Sequence, residues 1–384
     1  MPESGFDADV LVIGGGPGGS TAAWDLARKG VDVLLLDGAD FPRVKLCAGW
    51  ITPQILEALE LDPEAYPNTI SAFTSAILWV GDQPYRTDYN RPVSYGIIRA
   101  EFDHYLLNRA RETGARFVNE DVKTVANEAE GFTVTTRAGN TFRAPLAIGA
   151  GGSKDPIRRK LTEHSAEERM VVTLESETEV GADTIQAHTP YYEVPELFLE
   201  PDFKGYAWYF TKGDFLNIGI GRLGDPRIRD HHPRFMDKLR DIGRLTPDLE
   251  ERLTKFKGHP YKVYDHVPNQ AHGDRFLLVG DAAGLARHYS GEGIRPAVES
   301  ARDAAETARS ALDRGAFTAA DLAGYPDRLT ERYGPQKAPV FDPSAWIPHS
   351  WQARMVEWVC RSDRLRRDWV FGKVFLFDPE ATVS

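Results

Sequence analysis

The stretch VLVIGGGPGGSTAAWDLARKGVDVLLLDGAD, residues 10–40, decides how the chain begins to fold. Val10–Ile13 and Val33–Leu36 are unbroken aliphatic runs, which suits parallel strands covered on both faces. Between them Gly14, Gly16 and Gly19 stand in G-x-G-x-x-G spacing, followed by a helix-forming run from Thr21 to Lys29. The three glycines serve a tight turn, a close approach of backbone to a pyrophosphate, and close packing of helix on strand. Asp37 follows the second run, 23 residues after Gly14, where a carboxylate accepts hydrogen bonds from an adenosine ribose. The pattern predicts a dinucleotide site; by itself it does not say which dinucleotide.

A second stretch, RFLLVGDAAGLARHYSGEGIRPAVE (residues 275–299), narrows the choice. An apolar strand over Phe276–Val279 runs into Gly280–Gly284, and Gly291-Glu292-Gly293-Ile294 opens a helix expected to reach about Arg314. A nicotinamide dehydrogenase needs no second phosphate-facing loop so far down the chain. FAD does, because it lies extended, with its adenosine half and its ribityl–ring half held separately. The loop resembles that of the single-Rossmann FAD enzymes that include the aromatic hydroxylases, and the resemblance implies that Asp281 lies on the ribityl chain. It also implies that the helix N-terminus at Gly291, Gly293 and Ile294 faces the flavin pyrimidine, where its dipole favours negative charge. Glu292 is expected to cap that helix.

Bulk properties exclude several other classes. The chain has 384 residues and a formal net charge of −11, which disfavours nucleic acid as a partner. Cys47 and Cys360 are its only cysteines, too few for a disulfide framework. The polar, acidic opening MPESGFDAD has no secretory character, and no apolar run suggests a span, so the expected location is cytoplasmic. Metal-ligand spacings such as H-E-x-x-H or C-x-x-C are absent, and no metal is expected. The tail WQARMVEWVCRSDRLRRDWVFGKVFLF (351–377) mixes arginine with Trp, Val and Phe, an amphipathic pattern that suits peripheral membrane contact, the mouth of a lipid site, or a docked helix with a basic outer face.

The wording of the loops is narrower than a general flavin pattern. GDAAGLARHYSGEGIRPAVESARDAAE (280–306) resembles the geranylgeranyl reductase family, within the single-Rossmann flavoproteins of the aromatic-hydroxylase class. FPRVKLCAGWITP (41–53) is similar to that family's R-x-K-x-C-[AG]-G stretch, matched by Arg43, Lys45, Cys47 and Gly49. GYAWYFTKGDFLNIGIGR (205–222) resembles its Y-x-W-x-F segment, matched by Tyr206, Trp208 and Phe210. YGIIRAEFDHYLLNRARETGARF (95–117) supplies Arg99 and Glu101-Phe102-Asp103 at a helix expected to face the cofactor. The resemblance also assigns Arg43, Arg99 and Val122 to the cofactor site. It departs at IGAGGSKDPIRRKL (148–161), where Gly151 stands in place of the family's usual aspartate, a residue implicated in NAD(P)H use across the wider class.

The fold this implies is α/β. A Rossmann-type FAD-binding domain (1–164 plus 266–315) would carry a mixed α+β substrate domain with an antiparallel sheet (165–265), and a C-terminal helical region (316–384) would follow. Strands are expected at Met170–Glu175, Tyr191–Phe198, Tyr206–Lys212 and Phe215–Gly221, with helices at Pro233–Ile242 and Asp248–Phe256. Tyr206, Trp208 and Phe210, at period two, share one sheet face and either line an apolar tunnel or fill the core. The resemblance implies FAD-dependent reduction of carbon–carbon double bonds in a geranylgeranyl or other isoprenoid chain. Cys47 is the candidate proton donor, its thiolate helped by Lys45 or Arg43, and Tyr206 and Trp208 are candidate active-site residues. Candidate reductants are NADPH, an electron-donor protein and free reduced flavin. The alternative reading is a flavin monooxygenase acting on a secondary metabolite. His288, in the second glycine-rich loop, is a further candidate for the cavity.

Overall fold

The computed structural model describes residues 5–163, 169–189, 191–224, 227–264, 270–287, 290–336 and 349–375. His288 lies outside them. The chain divides into two units: Met1–Val44, Ala100–Glu168 and Tyr261–Ala338 form one, and Lys45–Arg99, Arg169–Pro260 and Pro339–Ser384 the other. This differs from the boundaries expected from the sequence, because residues 45–99 and 339–384 both fall in the second unit.

The first unit is built on a six-stranded sheet. Its order is His272–Gly273, Phe276–Leu278, Leu146–Gly149, Val10–Ile13, Val33–Leu36 and Arg116–Val118. All neighbours are parallel except the first, antiparallel pair. The aliphatic runs read from the sequence are fully covered, every residue of Val10–Ile13 and Val33–Leu36 being buried. Helix Pro17–Ala27 follows the glycine turn, with proline at its first turn supplying a preset φ. The long helix runs Ile294–Arg314, ends on Gly315 in the left-handed region, and buries an alanine stripe at positions 301, 304, 305, 308 and 311. Helix Pro156–Leu161 is capped by Asp155, whose carboxylate accepts from the backbone N–H groups of Ile157 and Arg158. A small antiparallel sheet of Val122–Glu128, Gly131–Thr136 and Thr141–Ala144 completes the unit.

The second unit contains a large sheet whose strands run Met170–Glu179, Phe215–Leu223, Gly205–Lys212, Glu196–Leu199, Ser75–Val80 and Gln83–Asp88 in spatial order. All neighbours are antiparallel except Glu196–Leu199 beside Ser75–Val80. Strands 75–80 and 83–88 extend the same sheet, which is the physical reason residues 45–99 belong here. Period-two alternation separates two apolar layers. Ala207, Tyr209, Ile218 and Ile220 pack under helix Ile228–Asp241 through Phe235, Met236 and Leu239. Trp208 and Phe210, on the opposite face, pack with Phe73, Leu197, Cys360, Phe371 and Phe375.

Several expected elements shift: the strand expected at Met170–Glu175 runs on to Glu179, and the helix expected at Asp248–Phe256 spans Pro247–Arg252. The helix expected from Pro233 begins at Ile228 and keeps Pro233 inside it. Ile228 is buried, and packing of that extra turn outweighs the hydrogen bond proline cannot make. The strand expected from Tyr191 begins only at Glu196, after a turn at residues 191–193.

Candidate functional site

In the first unit the glycine loop is closed by backbone packing that admits no side chain. A Cβ on Gly14 would lie 2.5 Å from the Ala150 carbonyl oxygen, and Gly14 holds φ at +104°. A Cβ on Gly19 would lie 1.7 Å from the Gly14 carbonyl oxygen. The helix N-terminus at Gly16 carries no side-chain cap and no acid in its first turn, so its donors are left for an anion. The guanidinium of Arg43 stands over this turn, 3.4 Å from where a Gly16 Cβ would be. Buried Asp103 fixes Arg43 from the helix Arg99–Glu112, at 3.1 Å. Asp37 accepts the N–H of Gly15 at 2.6 Å and of Ala39 at 2.8 Å, which locks its carboxylate at the loop while leaving lone pairs for a ribose. Just beyond it, a Cβ on Gly38 would meet Asp121 at 2.5 Å, so the segment that leads into Val122 packs against the turn after Asp37.

The second loop meets the first around Ala297. A Cβ on Gly18 would lie 3.3 Å from the Ala297 oxygen, and one on Gly280 would lie 2.8 Å from the Ala297 Cβ. Gly280 N–H also donates to Ser300 Oγ at 3.0 Å, tying the loop to the long helix. Gly291 holds φ at +68°. A Cβ on Gly293 would sit 3.3 Å from Asp281 Oδ1, which puts the Asp281 carboxylate beside the N-terminus of that helix. That N-terminus has no side-chain cap. The expectation that Glu292 caps it is corrected: Glu292 faces Arg287 at 3.5 Å instead. The loops read from opposite ends of the sequence are thus joined in one cradle whose close approaches only glycine allows. These residues fit FAD: bare donors and Arg43 for the pyrophosphate, Asp37 for the adenosine ribose, Asp281 for the ribityl chain.

Gly151 has a local explanation. Its N–H donates to Asp155 Oδ2 at 2.8 Å, and a Cβ at 151 would lie 3.0 Å from that oxygen. An aspartate here would be crowded and would face a second carboxylate. Burial raises the Asp155 carboxyl to about 6, against the pull of the N–H groups of Gly151, Arg158 and Ile157.

The second unit carries the remaining candidates. Cys47 is half-buried and its Sγ lies 3.4 Å from the Gly49 N–H. The two cations expected to serve its thiolate are engaged elsewhere. Lys45 Nζ is 2.8 Å from His259 Nε2, and Arg43 is held by Asp103. Trp208 is buried, donates from Nε1 to Asn217 Oδ1 at 2.6 Å, and lies over Gly219, whose Cβ would come within 2.2 Å of the indole. Tyr206 packs against Trp208 at 6.0 Å and edge-on to Phe375 at 5.5 Å. Arg99 is buried at the start of its helix.

Beside these, on the same sheet face, stands a polar cluster the sequence reading missed. Lys212 is fully buried; its Nζ bonds the Glu177 carboxylate and donates to the carbonyls of Ala48 at 2.9 Å and Ile97 at 3.0 Å. Asn217 joins Glu177 at 3.2 Å. Glu175, two residues before Glu177 and opposite Gly219, is buried, and its carboxyl has no hydrogen bond among the described residues. Burial raises its carboxyl to about 7 and Glu177 adds to this, while Lys212, Arg99 and Lys45 oppose it. The signal was present in the sequence: Glu175, Glu177 and Glu179 alternate along one strand, and Lys212 continues the 206–208–210 stripe.

A glycine-loop Rossmann unit, with a GD loop beside it and a bare long-helix N-terminus, defines an FAD-binding flavoprotein of the aromatic-hydroxylase class. A family model described as "FAD binding domain" matches residues 7–313. The chain is 30% identical over 326 residues to geranylgeranyl diphosphate reductase of Rhodobacter capsulatus, covering 80% of this chain and 76% of that one. It is 30% identical over 355 residues to menaquinone reductase of Mycobacterium tuberculosis, covering 85% and 81%. A solved geranylgeranyl bacteriochlorophyll reductase-like protein of Thermoplasma acidophilum shares the fold, with TM-score 0.71, 22% identity, and coverage of 97% and 94%. The chain belongs to the geranylgeranyl reductase family of FAD-dependent oxidoreductases.

Proposed function

We propose that the protein saturates carbon–carbon double bonds of a geranylgeranyl or related isoprenoid chain borne by a lipid or quinone. The observation that supports this reading lies on the sheet face of the second unit: Glu175, a buried carboxyl with no side-chain hydrogen bond among the described residues, sits across Gly219 from Trp208. A reaction that adds a proton to carbon needs such a proton source, and half-buried Tyr206 is the part of the aromatic run that is not fully covered and could meet an apolar chain. FAD, when bound and reduced, supplies hydride.

Everything else falls to the chain's own residues. Gly14, Gly16, Gly19 and Arg43 hold the pyrophosphate, Asp37 the adenosine ribose, and Val122 packs at that end. Asp281 holds the ribityl chain, Gly291, Gly293 and Ile294 receive the pyrimidine edge, and Arg99 contributes positive charge. Half-buried Tyr206, backed by buried Trp208, orients the chain and excludes water. Glu175 keeps a proton up to neutral pH, and Cys47 is the second proton carrier, on the segment that Lys212 pins through Ala48. NADPH is the proposed reductant, with an electron-donor protein as the competing source.

The test is flavin reoxidation without air. Dithionite-reduced enzyme mixed with a geranylgeranyl lipid regains its oxidised flavin band on this reading. A flavin that stays reduced until oxygen is admitted, and then yields an oxygenated product, would assign the protein to the monooxygenases instead.

A further inference from the structure

Residues 349–375 have two unlike sides. The inner side is stapled to the sheet: Cys360, Phe371 and Phe375 are buried in the Trp208–Phe210 layer. Arg366 donates to Thr87 Oγ1 and to the Arg86 carbonyl, both at 2.6 Å. The outer side is apolar where water should be. Five large hydrophobic side chains stand exposed among the described residues, and four of them are here: Trp351 (62%), Met355 (56%), Trp358 (67%) and Trp369 (58%).

Trp351, Met355 and Trp358 are spaced i, i+4, i+7 on helix His349–Arg361, so they form one stripe, and exposed Arg354 lies within it. Lys373 Nζ sits 4.3 Å from the centroid of the Trp369 ring. In a chain of net charge −11, this segment holds six Arg and Lys against three Asp and Glu. Soluble surfaces rarely gather large apolar side chains so tightly without a partner.

We infer that the outer side of residues 349–375 is a docking surface for an anionic lipid bilayer, with the helix lying in the interface plane. Tryptophan favours the headgroup level, where its ring is apolar and its N–H stays wet, and arginine among the tryptophans meets lipid phosphate. The local positive excess complements an anionic leaflet. A second copy fits less well, because a two-fold contact on this stripe would bring Arg354 against the same basic stripe of the partner. The inference rests on this surface alone and survives if the substrate reading fails, since lipid binding is read without turnover.

The holoenzyme would be sedimented with vesicles of phosphatidylcholine alone and with added phosphatidylglycerol, at low and high salt. Binding is expected to the phosphatidylglycerol vesicles, weakened by salt, with a blue shift of tryptophan emission. The double variant Trp351→Ser/Trp358→Ser is expected to bind at least roughly tenfold more weakly. Its melting temperature and flavin spectrum should be unchanged. Arg354→Glu should remove part of the preference for anionic lipid. Absence of binding to either vesicle, or binding indifferent to the tryptophans, would overturn the inference. So would concentration-dependent dimerisation lost in the double variant, which would assign the stripe to a second copy.

Discussion

Gly19 and Glu175 set the terms at the residue scale. A methyl group at Gly19 would have to occupy the Gly14 carbonyl oxygen, at 1.7 Å, so the turn cannot close around it. Gly19→Ala is expected to purify without yellow colour and to bind added FAD at least about a hundredfold more weakly, by fluorescence titration. Glu175 argues through its proton. Its folded value, about 7, lies above the ordinary 4.5, so the folded state holds the proton more tightly than the unfolded chain. Stability from this group is therefore greatest in acid, falls as pH rises from about 4.5 to about 7, and stays low above that. The whole window is worth on the order of 3 kcal/mol. Glu175→Gln should melt higher than the parent at pH 8 and show little gain at pH 5. Its rate profile should lose the fall above neutral pH that the parent shows, at a lower overall turnover; a retained limb would move the proton to Cys47.

At the scale of elements, Lys212 is the tie between the strand Gly205–Lys212 and the segments that carry Cys47 and Ile97. Its ammonium sits among the Ala48 and Ile97 carbonyls and the Glu177 carboxylate, and Gly49 is glycine because a Cβ there would lie 2.8 Å from Nζ and 2.1 Å from the Ile97 oxygen. Lys212→Met strands Glu177 and two carbonyls, and chemical denaturation should show a loss of about 3–5 kcal/mol. The same elements show what was legible beforehand. Strands 10–13 and 33–36 and the helix opening at Ile294 were readable because continuous aliphatic runs and glycine spacing are local signals. The meeting of Gly18 and Gly280 at Ala297 was foreseeable only as chemistry, since two loops serving one long cofactor must converge. The Lys212–Glu177–Asn217 cluster depends on cross-strand register, which pairs Glu177 with Asn217 and Asn217 with Phe210. The start of helix Ile228–Asp241 misled the reading because Pro233 resembles a first-turn proline, and burial of Ile228 could not be seen in one dimension.

For the molecule as a whole, the C-terminal segment separates stability from docking. Phe371 and Phe375 complete the layer over Trp208 and Phe210, so a chain ending before residue 349 should uncover that layer, aggregate and melt well below the parent in differential scanning fluorimetry. The exposed tryptophans of the same segment should be replaceable by serine at no cost in melting temperature. Among the described residues no helix is long and apolar enough to cross a membrane. Whether the oxidoreductase acts on prenyl double bonds is read most directly from the mass of the product. The enzyme would be reduced with dithionite in the absence of air, given a panel of geranylgeranyl lipids and prenylquinones, and the extracted products weighed by mass spectrometry. The account predicts the gain of one hydrogen pair for each bond saturated, abolished in Gly19→Ala. Prenyl chains returned unchanged, with oxygen incorporated into product once air is admitted, would contradict it.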